Sequence, residues 1–289
     1  MLSSPKTPRL SPYNTAASSR SNRPSVVFAH ANGYPSQSYR KLLDPLAQQF
    51  TIYTIEHRPL WSGERAPRRL NWQAYADDLI HALECDGGRP VWLVGHSMGA
   101  VVSVLVARQR PDLVVGLVAL DPVLVPRNTW LAFQFFTRML RRDMPIVKVA
   151  LGRPHQFENL DAAFAFYRHK RPFRRVSDEV LWDYVKAGHE STPNQGVQLR
   201  WSGAWEACVY RSAPSIFGSL KALKLPMLGI AGKHSDVLDA DRLGVWQRVV
   251  PQLELEVYEG GHLIPLEAPD RCAARISEFI SAHQSPEHA

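Results

Sequence analysis

Cysteine is scarce in this chain of 289 residues: there are three, Cys85, Cys208 and Cys272, widely scattered and odd in number. They form no C-x-x-C pair and no disulfide framework. A disulfide-stapled scaffold is therefore excluded, and a reducing, cytoplasmic compartment fits best. Long apolar runs are missing as well. No stretch approaches the ~18 uncharged apolar residues of a membrane span, so stable membrane insertion is not expected. Acidic residues are absent from the opening "MLSSPKTPRLSPYNTAASSRSNRPS". This stretch has no apolar h-region and is not a secretory signal. Its Arg- and Ser-rich character is shared by organellar transit peptides and by disordered tails, and the expectation here is a disordered tail over 1–24.

Positive charge, by contrast, is in excess. The formal net charge is +7. Between Val123 and Ala222 there are 15 Lys and Arg against 8 Asp and Glu, so the whole excess sits in one segment. No recognition motif accompanies this charge, which argues against nucleic-acid binding. The apolar and charged fractions, 45% and 21%, are those of an ordinary globular protein. The length allows one large core, or one core plus an inserted subdomain.

Outside that basic segment, short apolar strands alternate with helical stretches. "SVVFA", "FTIYTIEHR", "VWLVG", "LVVGLVALDPV", "LPMLGIAGKH" and "LELEVYEGG" read as strands. Helical periodicity occupies 36–49, the run from Asn71 to Gly87-Gly88, and 98–110. Continuous apolar strands alternating with helices predict a mostly parallel, doubly wound α/β sheet covered on both faces. The core is assigned to 25–122 and 223–289. Residues 123–222, aromatic and arginine-rich with no clear sheet strand, read as a helical lid inserted between two strands.

One junction stands out. In "VWLVGHSMGAVVSVLVA" a bulky strand gives way to a helix, with Gly95 and Gly99 around Ser97. A sharp strand-to-helix turn of this type holds a serine hydroxyl up into a cleft. In an open parallel sheet, partners are sought at the carboxyl ends of other strands. "GIAGKHSDVLD" puts Asp236 there, and "EGGHLIPLEAPD" puts His262 there. Serine is a poor nucleophile without a base. Histidine takes and returns a proton near neutral pH, and a carboxylate behind it fixes its tautomer. The order Ser97, Asp236, His262 is that of a G-x-S-x-G nucleophile elbow with its triad. Developing negative charge needs N–H donors: Met98, directly after the nucleophile, and Asn32 in "HANG" after the first strand.

With these motifs in place, the chain from about Val26 to Phe279 resembles the α/β-hydrolase superfamily, in the branch with a helical cap after the sixth strand. "GHSMG" and "GGHLIPLEAPD" carry the resemblance, and "FAHANGYP" is similar to the family's His-Gly oxyanion loop. The resemblance implies that His30 helps to hold that loop. Three departures stand beside it. Ala31 occupies a usual glycine position, "GKHSD" is one residue longer than the commonest Gly-to-Asp spacing, and little sequence is left for the family's first two strands.

Asp121, in "LDPV", is the alternative acid, since some relatives place it there; otherwise it is a turn residue. His96 reads as packing or pocket-lining, His234 as solvated and Ser103 as structural. Cys85 and Cys272 lie on helices with no basic partner nearby in sequence. Among Trp130, Phe133, Phe135, Phe136, Phe164, Phe166 and Tyr167, about half should pack the lid and the others line an apolar pocket. Arg141-Arg142 and Arg174-Arg175 read as a solvated helix face, with attraction of an anionic substrate as the alternative. The expected activity is hydrolysis of a small-molecule carboxylic ester with an apolar part, without cofactor or metal. Hydrolysis of a carbon–carbon bond in a ring-cleavage diketone by the same triad is the runner-up, and a non-catalytic binder is the alternative of another class. Oligomeric state is left open.

Overall fold

The computed structural model describes residues 7–13, 23–139, 143–193 and 196–284, the side chains of 133, 134 and 136–139 excepted. Ten strands are present among them: β1 (Leu10–Pro12), β2 (Ser25–Ala29), β3 (Thr51–Ile55), β4 (Val91–His96), β5 (Val114–Leu120), β6 (Gln156–Phe157), β7 (His189–Ser191), β8 (Val197–Leu199), β9 (Met227–Gly232) and β10 (Leu253–Tyr258). Seven form the main sheet in the order β1-β3-β2-β4-β5-β9-β10. All neighbours in it are parallel except β1, which runs antiparallel to β3.

The helices are α1 (Arg40–Ala47), α2 (Gln73–Cys85), α3 (Met98–Gln109), α4 (Arg127–Met139), α5 (Pro145–Leu151), α6 (Leu160–Arg168), α7 (Asp178–Gly188), α8 (Gly203–Ser212), α9 (Phe217–Ala222), α10 (Ala240–Val249), α11 (Ile264–Glu267) and α12 (Pro269–Ala282). Alternate residues of each central strand feed two separate cores. Val27, Ala29, Leu93, Leu117 and Ala119 join residues of α2, α3, α9 and α10. Val26, Phe28, Val94, Val118 and Leu120 join residues of α1 and α12. Burial on both faces explains why these strands read as continuous apolar runs rather than as alternating ones.

The ends of α2 show how local chemistry sets boundaries. Asn71 Oδ1 accepts from the Gln73 N–H at 3.1 Å, opening the helix. Gly87 and Gly88 close it at φ 97° and 64°, a region that glycine enters without steric cost.

Three sequence expectations are corrected. The segment 1–24 is not wholly a disordered tail. Leu10–Pro12 pairs with the open edge of β3, and the Tyr13 hydroxyl donates to Asp44 at 2.6 Å. An edge strand offers unpaired main-chain groups, and a three-residue strand is enough to cover part of it. The second correction is within 123–222, which carries β6, β8 and β7 as a small antiparallel sheet beside its helices. Its strands, at two to three residues, are too short to leave a periodic signature. The third is that α9 packs on α3 and α10, so the chain is back on the main sheet before residue 223. No helix among the described residues is long and apolar enough to cross a membrane.

Candidate active site

Ser97 sits between β4 and α3 at φ 53° and ψ −112°, a backbone conformation that costs a non-glycine residue roughly 1–3 kcal/mol. The two flanking glycines make that turn possible. A Cβ at Gly95 would lie 2.5 Å from the Ala100 nitrogen, and one at Gly99 would lie 2.0 Å from the Ala29 carbonyl oxygen. Neither contact is tolerable, so the glycines are a steric requirement of the elbow. The Ser97 N–H donates to the Leu120 carbonyl at 2.9 Å, tying the elbow to β5. The residue itself is 6% exposed.

His262 lies on the loop after β10. Its Nε2 is 2.9 Å from Ser97 Oγ, and its Nδ1 is 2.7 Å from Asp121 Oδ1. A carboxylate only accepts, so Nδ1 carries the proton and Nε2 is left as acceptor for the serine hydroxyl. Asp121 follows β5 with φ 42° and is fully buried. Its Oδ1 also accepts from Ser235 Oγ at 2.6 Å, and its Oδ2 accepts from the Gly232 N–H at 2.8 Å. Three donors thus compensate the burial of this carboxylate.

Asp236, expected as the acid, is not the residue that faces His262; it is exposed. Topology supplies the reason. β5 lies between β4 and β9, so its end opens directly between Ser97 and the loop after β9. In that loop Ser235 turns inward, where its hydroxyl reaches Asp121 and accepts from the Val237 and Leu238 N–H groups at 3.2 and 3.1 Å. The extra residue in "GKHSD" therefore places a serine where the acid was expected and sends Asp236 outward.

The loop expected to supply an oxyanion donor follows β2. His30 is fully buried. Its Nε2 accepts from the His57 N–H at 3.1 Å, so Nδ1 carries the proton and donates to the Ala31 carbonyl at 2.8 Å. Burial, with His57 beside it, holds His30 well below the usual histidine range. His57 is itself pushed down by burial to about 4. Asn32 is buried, its side-chain amide donating to the Glu206 carbonyl in α8 at 3.2 Å. Met98 opens α3, where the first N–H groups have no intrahelical acceptor.

Arginines of the basic segment 123–222 border both loops. Arg153 donates to Glu206 at 2.7 Å, Tyr184 at 2.6 Å and Tyr167 at 3.0 Å, and its Nη1 lies 3.6 Å from where a Gly33 Cβ would be. Arg175 Nη1 lies 3.8 Å from the corresponding position on Gly261. Arg141 and Arg142 lie outside the described residues, as do the side chains of Phe133 and Phe136. Of the aromatics in 123–222, Phe164 stacks on Trp182 at 4.4 Å and Phe166 packs on Phe157 at 5.4 Å. Tyr167 is buried against Arg153, and Phe135 is 59% exposed.

The cysteines are apart from this chemistry. Burial raises the Cys208 and Cys272 thiols to about 11 and 12. Cys85 is exposed and, against the sequence expectation, has a basic neighbour one turn away, with Sγ 3.5 Å from His81 Nε2. Ser103, read as structural, donates to the Gly99 carbonyl at 2.8 Å, and His234 is exposed beside Glu259. Among the described residues no group of three or more His, Cys, Asp or Glu is placed to hold a metal ion. Sequence reasoning missed Ser235 and Tyr39, which contacts both Ala31 and His96. Ser235 stands in "GKHSD" one residue before the expected acid, whereas Tyr39 belongs to no motif and only the fold brings it to the site.

Comparison with known proteins places the chain in a family. Residues 26–275 match the model of the alpha/beta hydrolase family. The 2-(acetamidomethylene)succinate hydrolase of Mesorhizobium japonicum is 23% identical over 260 residues, covering 90% of this chain and 88% of the relative. The solved structure of E-2-(acetamidomethylene)succinate hydrolase superposes with a TM-score of 0.74 over 90% of this chain and 91% of that one. The pyrrolizixenacetamide deacetylase of Xenorhabdus hominickii is 21% identical, covering 91% and 93% of the two chains. The peroxisomal alpha-beta-hydrolase Lpx1 of Saccharomyces cerevisiae, 18% identical, gives a TM-score of 0.73 over 93% of this chain and 81% of its own.

Proposed function

This chain belongs to the alpha/beta hydrolase family, and from that premise we propose that it is a cofactor-free serine hydrolase cleaving a carboxylic ester through an acyl-enzyme on Ser97. The observation that carries the reading is the continuous line of hydrogen bonds from Ser97 Oγ through His262 to the buried Asp121. Ser97 attacks the ester carbonyl while His262 Nε2 takes the hydroxyl proton. Asp121 stabilises the imidazolium that forms and holds its orientation. The N–H groups of Met98 and Asn32 receive the negative charge on the tetrahedral oxygen. His262 then returns the proton to the departing alkoxide. Water, deprotonated by the same nitrogen, attacks the acyl-enzyme, and the acid leaves with Ser97 restored.

Amide hydrolysis is the second reading, because two of the relatives carry names built on acetamido and acetamide groups. The triad is the same and the leaving group is an amine. An acyl-chain-length series of p-nitrophenyl esters, run beside the matched p-nitroanilides, tests both. The ester reading expects turnover of one or more esters at rates well above the anilides. Turnover confined to anilides would establish the second reading, and turnover of neither would count against a hydrolase with an acyl-enzyme.

A further inference from the structure

His96 and Tyr39 have no role in the steps above, yet both are fully buried in the middle of the site. The Ala31 N–H, in the oxyanion loop, donates to Tyr39 Oη at 3.3 Å. Tyr39 Oη lies 2.7 Å from His96 Nδ1. His96 Nε2 lies 2.9 Å from the main-chain carbonyl of His262. The directions of these bonds fix one another. A carbonyl only accepts, so His96 Nε2 carries the proton. An imidazole kept neutral by burial, with His262 close by, then offers a bare Nδ1, to which the Tyr39 hydroxyl donates. The same hydroxyl oxygen still accepts from Ala31.

This chain of hydrogen bonds joins the carboxyl ends of three different strands. Ala31 lies after β2, beside the proposed donor Asn32. His96 ends β4 and is bonded covalently to Ser97. His262 follows β10, and its ring lies 5.1 Å from that of His96. Nucleophile, base and oxyanion donor must keep their mutual geometry, and a misplacement of about 1 Å can cost roughly 100-fold in rate. We propose that Tyr39 and His96 are positioning residues that lock the oxyanion loop to the base loop through one directed relay. The proposal rests on the reading of Ser97 and His262 as nucleophile and base.

The test uses the full chain, with Tyr39→Phe, His96→Leu, His96→Gln and the Tyr39→Phe/His96→Leu double variant, each checked by thermal melting. Tyr39→Phe removes a single oxygen atom and leaves the ring packing in place. On the best p-nitrophenyl ester, Tyr39→Phe and His96→Leu should each lower kcat by about 10- to 100-fold with KM changed less than about twofold. The double variant should be no worse than the poorer single, because both break the same relay. His96→Gln, which still presents an N–H toward the His262 carbonyl, should recover part of the loss. A near-wild-type kcat in Tyr39→Phe, a loss carried by KM, or losses that multiply in the double variant would overturn the proposal.

A readout independent of turnover keeps this separate from the triad itself. Nitrogen chemical shifts should show His96 as the Nε2–H tautomer. Tyr39→Phe should move the amide resonances of both Ala31 and Leu263, whose peptide unit contains the His262 carbonyl. An Nδ1–H tautomer, or a Leu263 amide that does not move, would overturn the relay. A wild-type protein that turns over no ester and takes no fluorophosphonate on Ser97, with those shifts as expected, would instead refute the triad reading and leave the relay standing as a structural link.

Discussion

Replacing Asp121 by asparagine isolates what the buried carboxylate contributes, because shape and volume are nearly retained. In the wild type, Oδ1 accepts from His262 Nδ1–H at 2.7 Å and from Ser235 at 2.6 Å, while Oδ2 accepts from the Gly232 N–H at 2.8 Å. In Asp121→Asn the amide oxygen stays on the Gly232 N–H, since a donor there would face a donor. The NH2 group then points at His262 Nδ1. Nδ1 must lose its proton to accept that bond, so the ring takes the Nε2–H form and presents a donor to Ser97 instead of a base. The same swap in a Ser-His-Asp triad lowers kcat about 10⁴-fold, or about 5.4 kcal/mol at ~1.36 kcal/mol per decade. Asp236→Asn changes an exposed side chain and should stay within about twofold, as surface substitutions generally do. The assay is ester turnover for both variants, with melting curves to show that each is folded. A crippled Asp236→Asn beside an active Asp121→Asn would refute this account of the acid.

Three further outcomes follow from the packing and the charges. Gly99→Ala drives a Cβ to 2.0 Å from the Ala29 carbonyl oxygen; neither backbone can yield, so a loss of about 3 kcal/mol or more is expected, roughly 6–12 °C in Tm. Gly244→Ala in α10, with nothing within 4 Å of the added atom, should instead stabilise by about 0.5–1 kcal/mol; an equal effect of the two would refute the steric argument. His57, 1% exposed and lowered to about 4 when folded, binds its proton more tightly in the unfolded chain. Its contribution to stability is therefore complete above pH ~6.5 and lost as pH falls toward 4; with the reference value of ~6.5, about 2 kcal/mol disappears by pH 5. His30 and His96 act in the same direction, and denaturant titrations at pH 7.5 and 5 that show unchanged stability would contradict all three. Arg174 and Arg175 are exposed, and Arg175 lies beside Gly261, next to His262. If they attract substrate, kcat/KM for a carboxylate-bearing ester should fall between 0.01 and 0.1 M salt, as the Debye length shrinks from about 30 to about 10 Å, while a neutral ester responds weakly; equal responses would identify a solvated face.

The central strands β2, β4, β5 and β9 were legible because each is buried on both sides, so its apolar run is almost unbroken and of strand length. Ser97 was legible because the elbow imposes steric demands at positions 95 and 99 that only glycine meets, and these leave a fixed sequence pattern; His262 was legible from its place after a Gly-Gly pair that closes a strand. The acid was not legible to the same degree. Asp121 and Asp236 both follow apolar strands, and choosing between them requires knowing that β5 lies between β4 and β9 and that Ser235 turns inward. Spacing along the chain carries neither fact. Tyr39 shows the same limit more sharply. Its place beneath Ala31 and His96 depends on how the turn 36–39 packs on α7 and sets the Tyr39 ring against Phe28 of β2 and His96 of β4, a purely tertiary matter. The strand at Leu10–Pro12 and the strands β6, β7 and β8 escaped notice because two or three residues cannot display a period.

The central claim is that Ser97 is a nucleophile activated by His262. It is tested most directly by treating the protein with a fluorophosphonate and locating the adduct by peptide mass spectrometry. The account predicts one stoichiometric adduct on the peptide carrying Ser97. That adduct should disappear in Ser97→Ala and form far more slowly in His262→Ala, with both variants folded by their melting curves. An unlabelled wild-type protein, or an adduct that persists unchanged in Ser97→Ala, would contradict it.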